Sequence, residues 1–188
     1  MIKLKPMIAR GLFVESKKLR IFDFDDTLVK TKSWIYVKNT KTGREFRLTP
    51  GEYAVYTPKD GDEFDYQDFT QIKDPTEIVK MTNVLRRIIK ASQGEGVYIL
   101  TARSAFKPIK QYLKDIGFSQ YIHIVALGSS DPKDKADWIE HMVDVEKYDD
   151  VYFADDSPKN VAAVKKMLRN KDVKWRVQMI KENKHYKV

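Results

Sequence analysis

The 188-residue chain carries 35 Lys and Arg against 27 Asp and Glu, a formal charge of +8, with 42% hydrophobic and 33% charged residues. That balance fits one globular domain with a sizeable core and excludes a disordered chain, while the positive excess suits polyanionic partners such as nucleic acid or phosphorylated substrates and, since the lysines are spread more than clustered, equally a solvated basic surface. Cysteine is absent, which excludes disulfides, thiolate metal sites and a cysteine nucleophile; the scattered His123, His141 and His185 argue against a histidine-rich metal site.

No apolar run approaches the roughly 20 residues of a membrane span. The basic amino terminus lacks the continuous apolar stretch of a secretory signal, so a cytoplasmic location and no membrane partner are expected. Residues 2–14 mix apolar and basic positions around Pro6 and Gly11 and fit a short leading strand. Next, Leu19, Ile21 and Phe22 read as a short buried strand that ends abruptly in Asp23, Asp25, Asp26 and Thr27. Acids this close repel one another and lose hydration together unless a cation or a proton compensates. Residues two apart on an extended chain point to opposite faces, so Asp23 and Asp25 can serve one site only if the pleat breaks after Asp23. The same residues also suit a turn with a helix N-cap, since Asp and Thr accept backbone N–H bonds there.

Beyond Thr27, residues 34–37 and 44–48 read as a β-hairpin around a turn at 39–43, and residues 52–56 as a further extended piece before the turn-rich 57–61. Aromatic residues are dense here (Trp34, Tyr36, Phe46, Tyr53, Tyr56, Phe64, Tyr66 and Phe69), beside Lys32, Lys38, Lys41, Arg44 and Arg47. Packing of these rings against the domain is favoured over stacking on a nucleic-acid strand. A helix then opens at Pro75 with Asp74 as its cap and Ile78, Val79, Val84, Leu85, Ile88 and Ile89 as its buried stripe, stopping at Gly94 or Gly96.

Residues 97–100 form a buried strand that ends at Thr101, residues 104–116 a helix closed by Gly117, and residues 122–127 a third strand. A helix over 135–143 precedes a strand over 151–154 that ends in Asp155 and Asp156. Pro158 opens a helix through 168, and a last strand over 173–180 leads to a basic tail. This alternation predicts a single α/β domain over 1–188: a Rossmann-like parallel sheet with helices on both faces. The stretch between Thr27 and Gly96 exceeds one crossover, so a small β-hairpin cap is expected at about residues 30–72.

Strands of a parallel sheet deliver their carboxyl ends to one edge, so Asp23 and Asp25, Thr101, and Asp155 and Asp156 converge there. Lys135, with Lys133 as a rival, can reach the same edge from the start of its helix. The set suits phosphate chemistry.

On these residues the chain resembles the haloacid dehalogenase (HAD) superfamily of aspartate-nucleophile phosphatases. The first motif, D-x-D-x-T, is matched by Asp23-Phe24-Asp25-Asp26-Thr27, the second by residues 97–101, the lysine motif by Lys135, and the acidic pair by Asp155-Asp156. Asn160 stands where many relatives carry a further acid. The resemblance implies Mg²⁺ bound by the Asp23 carboxylate, the Asp25 backbone carbonyl and Asp156, with Asp155 adjacent. It also implies Asp23 as nucleophile, Asp25 as general acid and base, and Thr101 and Lys135 as phosphate-binding groups. With its side chain left free by use of the carbonyl, Asp25 no longer needs to share Asp23's face for metal binding. Arg103 is read either as a substrate-phosphate ligand or as the partner of a surface acid, Asp26 as a turn cap, and Lys133 and Lys159 as solvated.

A small cap and positive charge favour a phosphate at a polymer end. The chain is similar in this to the phosphatase half of polynucleotide kinase-phosphatases, which implies removal of a terminal 3′-phosphate from DNA or RNA. A nucleotidase, a phosphoprotein phosphatase of the same superfamily and a non-catalytic binding module are the alternatives. The absence of G-x-x-x-x-G-K-[ST] leaves no kinase activity expected within these residues.

Overall fold

The computed structural model describes residues 16–119 and 121–181; the expected leading strand, His185 and nearly all of the basic tail lie outside them. In chain order the elements begin with β1 (Lys18–Phe22), β2 (Val29–Lys30), β3 (Ile35–Asn39), β4 (Glu45–Leu48), α1 (Pro50–Val55) and β5 (Asp62–Asp65). A 3-10 turn over Gln67–Thr70 leads to β6 (Thr76–Glu77), α2 (Val79–Ser92), β7 (Val97–Thr101), α3 (Lys107–Asp115) and β8 (His123–Ala126). The chain continues through α4 (Pro132–Asp144), β9 (Asp150–Asp155), α5 (Pro158–Leu168) and β10 (Lys174–Met179). Among the described residues no helix is long and apolar enough to cross a membrane.

The sheet expected from the βα alternation is present: five parallel strands in the order β10-β9-β1-β7-β8. Alternation along each strand divides the core. Leu19, Ile21, Leu100, Val151 and Phe153 face α4 and α5, whereas Phe22, Val97, Ile99 and Ala154 face α2 and α3. From β1 the chain moves outward through β7 and β8, then returns by α4 to β9 on the other side of β1. Strand order therefore reverses between β1 and β9, and a crevice opens at their carboxyl ends, where ligands of such sheets bind. Packing at the opposite end is tight. Gly96 has φ +67, and a Cβ there would lie 2.1 Å from the Lys18 carbonyl oxygen.

Between β1 and β7 the chain inserts a three-stranded antiparallel sheet, β4-β3-β5, and a two-stranded pair, β2-β6. The hairpin of β3 and β4 is as expected, but residues 52–56 are not extended. Pro50 occupies the first turn of α1, and Thr49 and Glu52 close a reciprocal capping box, with Thr49 N–H donating to Glu52 Oε2 at 2.8 Å and Glu52 N–H to Thr49 Oγ1 at 3.2 Å. These bonds outweigh the extended preference of Tyr53, Val55 and Tyr56.

The helix expected to open at Pro75 starts later. Thr76 and Glu77 pair with β2, and Asp74 has φ +40, which removes it from the extended conformation an N-cap requires. Val79, expected in the buried stripe, is 56% exposed, and Met81, Leu85 and Ile89 carry the core face.

Candidate active site

β1 ends at Phe22, although Asp23 still donates its N–H to the Ala154 carbonyl at 2.9 Å. Beyond it the chain curls: Leu28 N–H donates back to Phe24 O at 2.9 Å, Asp26 N–H to Val29 O at 2.8 Å, and Asp26 takes φ +53, a left-handed conformation that Asp tolerates better than most residues. This is the pleat break required for Asp23 and Asp25 to line the same cleft, as both do. The Thr27 hydroxyl is buried without a hydrogen-bond partner, so it does not cap this turn.

Around Asp23 the structure gathers residues far apart in sequence. Lys135, buried in the first turns of α4, donates from Nζ to Asp23 Oδ1 at 2.6 Å and to Asp155 Oδ2 at 2.8 Å. Asp155 is fully buried and also accepts from Ser157 N–H at 2.8 Å and from Asn160 Nδ2, which lies 3.1 Å from each of its oxygens. Asn160 therefore anchors an acid where another acid would have added to the repulsion. Ser157 caps α5 and Asp131 caps α4, so both helices present their first turns to the cleft. Lys133, the rival of Lys135, points outward and pairs with Asp137.

Asp23, Asp155 and Asp156 each offer a carboxylate oxygen within 4.8 Å of the others. One ammonium does not balance three carboxylates. Burial first, then Asp155 and Asp25, push the Asp23 carboxyl up to about 7 against the pull of Lys135. Loss of hydration first, then Asp23, Asp155 and Asp26, push Asp156 up to about 9. Burial works against the charge on Lys135, but Asp155 and Asp23 outweigh it and hold the ammonium protonated. An all-oxygen cluster with surplus negative charge fits a hard divalent cation such as Mg²⁺. Asp155 already accepts from three groups, which leaves Asp23 and Asp156 as the freer carboxylates.

Arg103 lines the cleft but does not lie on the surface. It is buried and forks onto Asp25, with Nε to Oδ2 at 2.8 Å and Nη2 to Oδ1 at 2.7 Å, while Nη1 donates to the Phe69 and Gln71 carbonyls at 3.0 and 2.7 Å. Its guanidinium is thus committed to holding Asp25 and the insert's 3-10 turn. Of the two readings drawn from sequence, pairing with an acid is what the geometry shows, and that acid belongs to the cleft. Thr101 is buried at the end of β7, lines the cleft, and accepts from Arg103 N–H at 3.2 Å.

The cleft encloses about 580 Å³. Its floor is the acid–lysine cluster, and its far wall is Tyr53, Tyr56, Tyr66 and Phe69 of the insert. These rings pack on one another and on Phe64, mostly edge-on, with Tyr66 stacked on Phe64. Packing is the arrangement favoured from sequence, but it takes place within the insert, where the rings also line the cleft. Two bonds tie wall to floor: Tyr53 Oη shares a hydrogen bond with Ser130 Oγ at 2.9 Å, and Lys159 Nζ donates to the Tyr56 carbonyl at 2.5 Å. Lys159, expected to be only solvated, thus fastens the insert to α5. Neither tie had a signal in the sequence, because each joins residues at least 77 positions apart.

Comparison of the chain with protein-family models, with curated proteins and with solved structures finds no match in any of the three.

Proposed function

We propose that the protein is a Mg²⁺-dependent phosphomonoester hydrolase of the HAD superfamily, with the insert between β1 and β7 as its cap, and that it removes a terminal 3′-phosphate from nucleic acid. The observation that carries this reading is the buried Lys135 shared by Asp23 and Asp155 beside the under-neutralised Asp156, at the point where strand order reverses. A structural ion pair has no need of the third carboxylate, and its retention costs stability unless a cation is bound. Held by Asp23, Asp156 and the Asp25 carbonyl, Mg²⁺ would neutralise charge on the incoming phosphoryl group.

The chain's own groups then have distinct tasks. An Asp23 oxygen attacks phosphorus in line, the ester P–O bond breaks, and Asp25 gives its proton to the leaving oxygen. Water then attacks the aspartyl-phosphate, loses a proton to Asp25, and releases inorganic phosphate with Asp23 restored. The Arg103 fork uses one lone pair on each Asp25 oxygen, which leaves further lone pairs for that proton. Thr101 and Lys135 hydrogen-bond the phosphoryl oxygens as charge builds on them.

Net positive charge and an aromatic cleft wall support a nucleic-acid end as substrate. The cleft's volume equally suits a free mononucleotide, which makes a nucleotidase the second reading. The test is turnover of p-nitrophenyl phosphate with and without Mg²⁺, followed by a panel of 3′-phosphorylated oligonucleotides, mononucleotides and phosphopeptides. Metal-dependent release of phosphate, fastest from the oligonucleotides, is expected. No turnover by pure protein with Mg²⁺ would overturn the assignment and favour a binding module.

A further inference from the structure

Away from the cleft, α3 and the residue leading into β8 form a second surface. Lys107, Lys110 and Lys114 fall at helical spacings of three and four and project from one exposed side of α3. Phe106, the residue before the helix, is 47% exposed, and Tyr121 is 66% exposed with Lys110 Nζ 5.8 Å from its ring centre. These five residues line a groove of about 780 Å³. Large rings do not stay in water without a cost in free energy, and here two of them border the same groove.

Charge separates this surface from the insert, the other place where aromatic and basic residues mix. In the insert Lys32 pairs with Asp74 at 3.2 Å, Lys38 with Glu45 at 2.9 Å, and Lys41 with Asp60, while Arg44 and Arg47 lie over the Phe46 and Trp34 rings at 5.1 and 4.0 Å and the other rings pack on each other. On α3 no carboxylate among the described residues lies within ion-pair distance of Lys107, Lys110 or Lys114, and the nearby Asp115 accepts from Gln111. The lysines are left for an external anion. From Lys107 to Lys114 the helix rises about 10 Å, the length of about three stacked nucleotides. The strip also starts at the cleft: Ser104 lines the cleft, and Phe106 follows two residues later.

We infer that this face binds single-stranded nucleic acid, with Phe106 and Tyr121 as stacking platforms and the three lysines as phosphate contacts, so that a strand whose end lies in the cleft continues along α3. The inference deepens the proposed substrate and rests on its nucleic-acid part, though not on catalysis. The probe is a fluorescein-labelled dT12 ending in a 3′-hydroxyl, titrated with the full chain in a chelator, so that binding is read without turnover. Each phosphate contact on a single strand contributes about 0.7 to the slope of log K against log salt. The Lys107→Ala/Lys110→Ala/Lys114→Ala variant should bind at least tenfold more weakly, with a slope smaller by about 2. Phe106→Ala/Tyr121→Ala should lose affinity with the slope unchanged. Turnover of p-nitrophenyl phosphate, measured in parallel, should match the parent for both variants. Parental affinity and slope in the triple-lysine variant overturn the inference, as does binding to anionic vesicles with none to dT12. Oligonucleotide binding without any phosphatase turnover leaves this face standing and removes the catalytic reading; turnover without oligonucleotide binding does the reverse.

Discussion

Replacing Asp23 by Asn should abolish turnover and, in the absence of metal, make the protein more stable. The Asp23 carboxyl is raised from 3.8 to about 7 in the folded chain, chiefly by burial. A raised value means that the folded state binds the proton more tightly than the unfolded one. The stability that Asp23 confers is therefore fully present below pH 3.8 and is lost as pH rises through about 7. At pH 8 a shift of about three units corresponds to about 4 kcal/mol, at 1.36 kcal/mol per unit, and at pH 5 the same arithmetic leaves under about 2 kcal/mol. Asn occupies the same volume without the charge, and Lys135 keeps Asp155 as its partner at 2.8 Å. Urea unfolding of parent and variant in a chelator at pH 5 and pH 8 reads the difference directly. The expected result is a variant advantage that grows with pH and shrinks when Mg²⁺ is added, because a cation bound at the cluster would stabilise the Asp23 carboxylate that the variant lacks. A variant less stable than the parent at pH 8 without metal, or an advantage indifferent to pH, would refute the claim that the cluster is short of positive charge.

Three further outcomes are expected. Asp156→Asn should raise the Mg²⁺ concentration needed for half-maximal turnover and lower the rate at saturation, measured as a metal titration; a change in thermal stability alone would remove Asp156 from the metal site. Arg103→Lys cannot reproduce the two-pronged grip on Asp25 and removes the donor that the Phe69 and Gln71 carbonyls share, so unfolding free energy should fall by about 3 kcal/mol and turnover should fall with it. Gly96→Ala places a methyl group 2.1 Å from the Lys18 carbonyl oxygen on a backbone at φ +67, and denaturant melts should show a loss on the order of 3 kcal/mol without any direct effect on the cleft.

Local chemistry in the sequence determined the repeating strand–helix pattern and the strand ends. Leu19, Ile21 and Phe22 read as a buried strand and Pro158 as the first turn of a helix, and both elements form there, because burial period and the fixed backbone of proline act within a few residues. The short α1 and the late start of α2 were not legible. In the first a capping box overrode extended propensity, and in the second Thr76 and Glu77 were drawn into a ladder with β2, a partner more than 40 residues away. Tertiary structure alone decided the electrostatics of the site. Which acids Lys135 would bridge, that Arg103 would seize Asp25 across 78 positions, and that Asn160 would hold Asp155 all depend on strand order, which brings β1 and β9 together and turns their ends toward one crevice. Sequence names the charged groups, but the energy of a charge depends on its distance to other charges and on the water it has lost, and both are set only when the chain has folded.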